Sequence, residues 1–360
     1  MSPRLGSRAA ALGLLRGGFI GRRLGGPLVV PRRSAETFAE VPETLPAASA
    51  YHTPVMGLEC VDWLVTEEDG FYVDGTLGGG GHSSLILEKL GARGRLVGVD
   101  RDAAAIEAAG ARLGGDARFS SVHANFDEGI ATAVADAGRL ADGVLLDLGV
   151  SSRQLDDAAR GFSFRGDGPV DMRMDGRSQT TAGDLINVLS ERDLAFLLRA
   201  NADEPHASRI AKAVIANRPF ERTTDLALTV AGAVPRLKRS APAAHENNQK
   251  RAVARCFQAL RVKVNDEFGA LERCLLGLPD LVKPGGRVVV LTYHSLEDRR
   301  VKRVFRTGKL RGDAPSDDFG NKLAPFAPLA RKALPPSERE VALNPRARSA
   351  KLRCAERTPY

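Results

Sequence analysis

Phe71-Tyr-Val-Asp-Gly-Thr-Leu-Gly-Gly-Gly-Gly-His-Ser83 is the stretch on which the fold turns. Its opening residues read as a short buried strand that runs into glycines, and residues 83–90 have helical spacing. Glycines between a strand and a helix let the backbone approach a ligand, and the helix start offers free N–H groups. The loop is not a P-loop, because no Gly-Lys-Ser/Thr follows it. It also fails G-x-G-x-x-G, because the last glycine of that pattern, counted from Gly78, falls on Ser83. ATP and NAD are both disfavoured.

Working outward, the alternation continues. Arg95–Asp100 reads as a second strand ending in an acid and Ala103–Leu113 as a helix, with a third strand over residues 118–123. Residues 142–149 (Asp-Gly-Val-Leu-Leu-Asp-Leu-Gly) form a fourth, a continuous apolar run of the kind a parallel sheet covers on both faces. Such alternation predicts a doubly wound α/β fold. After Ser152 the pattern changes. Residues 154–248 hold no convincing buried strand, Thr181-x-x-Asp184 is a capping box, and residues 193–200, 206–217 and 224–234 have helical spacing. A long helix is expected over residues 249–276, a turn at 281–286 and a buried strand at 287–292. Residues 309–330 read as a loop, and 349–353 alternate as an edge or hairpin strand would. The expected organisation is a leader and linker over residues 1–48, a core in two pieces (51–153 and 249–360), and a helical insertion over 154–248.

A chain of 360 residues, 27% charged and 43% hydrophobic, is ordinary for a soluble globular protein, which excludes collagen-like and wholly disordered readings. No apolar run approaches the roughly 18 residues of a membrane span. Cys60, Cys256, Cys274 and Cys354 lie far apart, which argues against a disulfide framework or a structural metal site. The net charge of +8 belongs mostly to residues 1–33, which carry seven arginines and no acid; the rest of the chain has 45 basic against 44 acidic residues, or +1. That leader resembles an organelle transit peptide, with the mitochondrial matrix the expected address and the plastid the alternative. Arg16 interrupts its apolar stretch and so disfavours a secretory signal. In the body, residues 299–311 hold seven basic residues and no acid, and Arg346, Arg348, Lys351 and Arg353 form a second cluster. Beside a catalytic cleft, such clusters suit a phosphate backbone.

Asp100 ends the second strand, 25 residues beyond Gly75, where an acid accepts hydrogen bonds from both hydroxyls of a ribose. A glycine loop with a strand-end acid but no phosphate-binding chemistry makes S-adenosylmethionine (SAM) the leading cofactor. Asp147 ends the fourth strand, and the carboxyl ends of strands at a topological switch point are where such folds bind ligands. Turn capping is the bland alternative for this acid. In His294-Ser-Leu-Glu-Asp298, Ser295 and Asp298 read as a capping box, which leaves His294 free to face the cleft.

The motifs resemble the small-subunit rRNA cytosine-N4 methyltransferases, a SAM-dependent group of bacteria and organelles. The likeness runs from about Tyr51 to Arg357. It is carried by His52-Thr-Pro-Val55, the glycine stretch 74–83, Leu145-Leu-Asp-Leu-Gly-Val-Ser-Ser152, Arg160-Gly-Phe-Ser-Phe164, Asp171-Met-Arg-Met-Asp175, Phe257-Gln-Ala-Leu-Arg261, His294-Ser-Leu-Glu-Asp-Arg299 and Asn344-Pro-Arg-Ala-Arg-Ser-Ala350. The resemblance implies a Rossmann-like class I SAM-dependent methyltransferase core with an inserted helical domain. It implies that Gly80, Gly81 and His82 lie against the methionine part of SAM, that Asp100 binds the ribose, that Phe126 packs on the adenine, and that Asp147 and Gln154 complete the site. The implied substrate is a cytidine in the decoding region of small-subunit rRNA, alone or in the small ribosomal subunit. Asp147 and His294 are the candidate catalytic groups, and Phe162, Phe164 or Tyr293 the candidates to stack on the base. The chain departs from the family pattern at Arg251-Ala252-Val253 and Ala202-Asp203-Glu204, outside the cofactor motifs. A SAM-binding ribosome-assembly factor and a methyltransferase of another RNA stay open as alternatives, as does oligomeric state, a homodimer included.

Overall fold

The computed structural model describes residues 54–236 and 241–360. The expected leader and linker, with Tyr51, His52 and Thr53, lie outside the described residues.

Seven strands, β1 (Phe71–Asp74), β2 (Arg95–Asp100), β3 (Phe119–His123), β4 (Ala141–Asp147), β5 (Val282–Thr292), β6 (Phe326–Pro328) and β7 (Lys351–Arg357), form one sheet in the order β3-β2-β1-β4-β5-β7-β6. The first five are parallel, and β7 runs antiparallel between β5 and β6. Helices α1 (Gly57–Leu64), α2 (Gly81–Lys89), α3 (Ala103–Leu113) and α4 (Phe126–Ala137) interleave with β1–β4. Between β4 and β5 come α5 (Ser152–Asp156), α6 (Ala182–Val188), α7 (Glu191–Ala202), α8 (Ala207–Ala216), α9 (Thr223–Ala233), α10 (Pro242–Val264) and α11 (Glu267–Leu281). Then follow α12 (Ser295–Thr307) and α13 (Glu338–Leu343). This Rossmann-like arrangement bears out the expected α/β class.

The middles of the central strands are runs of apolar residues because both faces are covered. Phe71, Val73, Val144, Leu146, Val288 and Val290 point to one face, against α4, α11 and α12. Tyr72, Leu145, Val289 and Leu291 point to the other, against α1, α2 and α3. A separate apolar cluster holds the inserted helices together and runs from Phe162 through Leu260 of α10. No helix among the described residues is long and apolar enough to cross a membrane.

Two expectations need correction. The long helix over 249–276 is two helices, broken where Asp266 adopts φ 47°. Asn265 explains the break: its Nδ2 donates to the carbonyl of Met172 (2.7 Å) and its Oδ1 accepts from the N–H of Met174 (2.8 Å), so the chain turns to tie the insertion down. The C-terminal strand is internal rather than an edge, because β6, three residues within the expected loop 309–330, pairs along its outer side. Residues 281–286 do bulge out: Ala141 pairs with Val282 but Gly143 pairs with Arg287.

Candidate active site

The strand order reverses between β1 and β4, which places a crevice at their carboxyl ends. A cleft of about 810 Å³ opens there. It is lined by the glycine loop, Asp100, Phe126, Asp147, Gln154, Tyr293 and His294, and roofed by Phe164, Phe257 and Gln258 of the insertion. The volume lies high in the range of about 300–1,000 Å³ usual for small-molecule sites, enough for a cofactor and a base together.

The glycine loop is shaped by two requirements. Gly78 adopts φ +50°, and its N–H donates to Oδ2 of Asp100 (2.8 Å). Gly80 adopts φ +75° as the N-cap of α2, and a Cβ there would stand 2.9 Å from Leu113 of α3. Gly80 therefore faces α3 rather than the cleft, which Gly79, Gly81 and His82 line. The loop is anchored below by Asp74, fully buried, whose Oδ2 accepts from the Ser83 hydroxyl (2.7 Å).

Asp100 takes a second backbone N–H, from Asp102, on Oδ1 (2.8 Å). Each oxygen keeps a lone pair for a further donor. Burial pushes its carboxyl up to about 6, and nearby Asp102 and Asp74 add to the rise. Gln154 acts on this acid indirectly. Its amide nitrogen donates to Oδ2 of Asp102 (2.8 Å), and its amide oxygen accepts from the N–H of Ser151 (3.0 Å). Arg160 reaches the same Asp102 oxygen (3.0 Å) and donates to the carbonyls of Arg173 and Met174. Asp102 thereby joins the cofactor wall to the insertion, a role that sequence reading missed.

Asp147 stands at the end of β4, opposite Leu291 of β5. Its Oδ1 accepts from the hydroxyl of Tyr293 (2.7 Å), and Nδ1 of His82 lies 3.8 Å from Oδ2. The His82 ring is held from behind, with Nε2 3.0 Å from the carbonyl of Val55. Burial raises the pKa of Asp147, against the opposing effects of His82 and Tyr293. Tyr293 thus orients the acid through its hydroxyl while its ring lines the cleft. The other two aromatic candidates also have partners: Phe162 is buried in the insertion core, and Phe164 meets Phe257 edge-on at 5.4 Å.

His294 lines the cleft but is turned to Glu297. The capping box at the start of α12 is His294 with Glu297, one residue earlier than expected: Nδ1 accepts the N–H of Glu297 (3.4 Å), and Oε2 of Glu297 accepts the N–H groups of Tyr293 (2.9 Å) and His294 (3.2 Å). Nε2 of His294 lies 3.0 Å from the other Glu297 oxygen. Although burial opposes it, the bonds from His294 and Tyr293 hold the Glu297 carboxyl below its usual range. Asp298, the expected capping acid, instead takes Arg353 (2.6 Å). At the departures from the family pattern, Ala252 and Val253 are buried in the insertion core, and buried Glu204 pairs with Arg255 (3.3 Å).

Asp100, Asp147 and Glu297 line the same cleft. A sulfonium or an ammonium group placed beside them would stabilise the ionised carboxylates. The residues fit SAM: Asp100 for the ribose hydroxyls, Phe126 for a flat base, and the loop around Gly81 and His82 for the amino-acid end.

Known proteins agree. The curated Ribosomal RNA small subunit methyltransferase H of Bacteroides fragilis is 41% identical over 310 residues, covering 86% of this chain and 98% of its own. The proteins of that name from Heliobacterium modesticaldum and Methylococcus capsulatus are 43% and 44% identical, over 85% and 83% of this chain and 98% of each of theirs. Among solved structures, an rRNA methylase from Streptococcus thermophilus aligns with 84% of this chain and 93% of its own at a TM-score of 0.33 and 11% identity, too distant to bear on the site. The model of the MraW methylase family matches residues 49–358, and the chain belongs to that family.

Proposed function

We propose that the protein is a SAM-dependent methyltransferase that acts on the exocyclic N4 amine of a cytidine in the decoding region of small-subunit rRNA. The observation that carries the reading is Asp147: a carboxylate in the cleft wall, with one oxygen fixed by Tyr293 and the other toward His82. Bound in the cleft, SAM supplies an electrophilic methyl group. The residues of the chain do the rest. Cytosine N4 is a weak nucleophile because its lone pair is delocalised into the ring. An acceptor aimed at its N–H localises that pair and stabilises the positive charge that develops. Asp147 Oδ2 is that acceptor, and the raised pKa of the acid makes it the stronger base. The base must be unpaired or flipped to reach it. The roof of inserted helices excludes water and holds the partners in register. His294 supports the wall through Glu297.

The relatives' name supports rRNA of the small subunit as the substrate. The arginine-rich, acid-poor leader supports delivery to the mitochondrial matrix, with the plastid as the alternative address.

The test is to incubate the full-length protein with labelled SAM and small ribosomal subunits from a strain lacking the modification, then identify methylated nucleosides by mass spectrometry. N4-methylcytidine is expected, and a different product refutes the assignment of the target. In the same assay Asp147→Asn is expected to bind SAM and to lose turnover by about 10²–10⁴. Full turnover would refute the role of Asp147.

A further inference from the structure

The body of the chain is close to neutral, and most of its described arginines are bonded. Arg93, Arg118, Arg173, Arg222, Arg261 and Arg273 each meet an acid within 3.0 Å. The solvent face of α12 is different. Arg299, Lys302, Arg303 and Arg306 are exposed and spaced i, i+3, i+4 and i+7, so they form one stripe about 10 Å long. Arg299 lies 3.7 Å from Asp203 of the insertion, and the other three have no acidic partner among the described residues. Like charges at these spacings destabilise a helix by a few tenths of a kcal/mol per pair. The buried side, with Val301, Val304 and Phe305 against the sheet, holds the helix in spite of that.

The stripe also has a direction. It begins five residues beyond His294 in the cleft wall and at the insertion, where Arg299 meets Asp203. It ends at a shallow recess floored by Phe305, Pro328 and Cys354, where Lys302, Arg306 and the exposed Arg331 converge. A row of cations leading away from a cleft that takes a single base suits the phosphates of a strand that continues past that base.

We propose that this stripe, with Arg331, binds the phosphates of the rRNA strand next to the target nucleotide. The proposal rests on the function proposed above and adds the surface that the substrate crosses on its way to the cleft.

The test uses the full chain carrying Lys302→Glu with Arg306→Glu. A charge-matched control carries Arg209→Glu with Lys212→Glu on the exposed side of α8. Binding to a small-subunit rRNA fragment containing the target is measured by filter retention across a salt series, alongside methylation of small subunits and SAM affinity. The stripe variant is expected to weaken RNA binding and raise KM for the subunit roughly tenfold or more. It should flatten the slope of log K against log salt by about 1.4, the contribution of two single-strand phosphate contacts. SAM affinity should be unchanged, and the control should match the wild type. A stripe variant with the wild-type slope and KM would overturn the proposal, as would an equal loss in the control. Failure of the wild type to methylate would count against the proposed reaction instead, and the binding series would still decide the stripe.

Discussion

Tyr293→Phe isolates one interaction in the cleft. The phenylalanine keeps the ring where it packs with the α1 side of the sheet, and it removes only the hydroxyl that donates to Oδ1 of Asp147 at 2.7 Å. A hydrogen bond to a charged group contributes about 1.5–3 kcal/mol. At about 1.4 kcal/mol per pKa unit, its loss should raise the pKa of Asp147 by about one to two units. The sign follows from the donor: Tyr293 favours the ionised acid, so removing it favours the protonated form, which cannot accept the amine proton. The acid limb of the kcat profile should therefore move to higher pH by that amount, with turnover recovering as the pH rises further. Single-turnover methylation of small subunits across pH, at saturating SAM, measures it. An unmoved or lowered acid limb would refute the assignment of the acceptor. So would a uniform loss at every pH, which is what simple damage to packing would give.

Two further outcomes follow. Asp100, pushed up to about 6, should be largely ionised at neutral pH and protonated below, so SAM affinity should fall as pH drops through about 6. Because the raised pKa favours the acid form in the free protein, the stability contributed by protonated Asp100 is lost as pH rises through the same value. Ribose hydroxyls that donate to Asp100 favour its ionised state, so calorimetry near pH 6 in buffers of different ionisation enthalpy should detect proton release, and zero release would count against this assignment. Asn265→Ala strands the N–H of Met174 and the carbonyl of Met172. At about 1–3 kcal/mol for each of the two buried groups left unpaired, urea titration should show a loss of about 2–6 kcal/mol.

The core was legible because a parallel strand covered on both faces is written as an unbroken apolar run. Arg95–Asp100 agrees to the residue, and β4 differs only at its ends. The capping box of Thr181 and Asp184 was equally readable, being a contact within one helical turn. What the sequence hid was set by long-range partners. Nothing local announces that Asn265 breaks a helix, because its reason lies at Met172 and Met174. Asp102 is the N-cap of α3, but its bonds to Gln154 and Arg160 come from beyond β4. The bond from Tyr293 to Asp147 was accessible in principle, since strand parity puts the two on one face once β4 and β5 are taken as neighbours. At the start of α12 the expected box of Ser295 and Asp298 gives way to His294 with the buried Glu297, while Asp298 pairs with Arg353 on a distant strand.

The placement of the insertion has a consequence for how the chain is made. β4 leaves the ribosome with β1 on one side only, because its other neighbour, β5, follows 134 residues later. During that interval a strand with an apolar middle presents an unpaired edge, the feature that templates association with other chains. The inserted helices make mostly local contacts and fold quickly, whereas the pairing of β4 with β5 must wait. Synthesis of this protein is therefore expected to pass through a half-sheet that depends on chaperones until residue 292 has emerged.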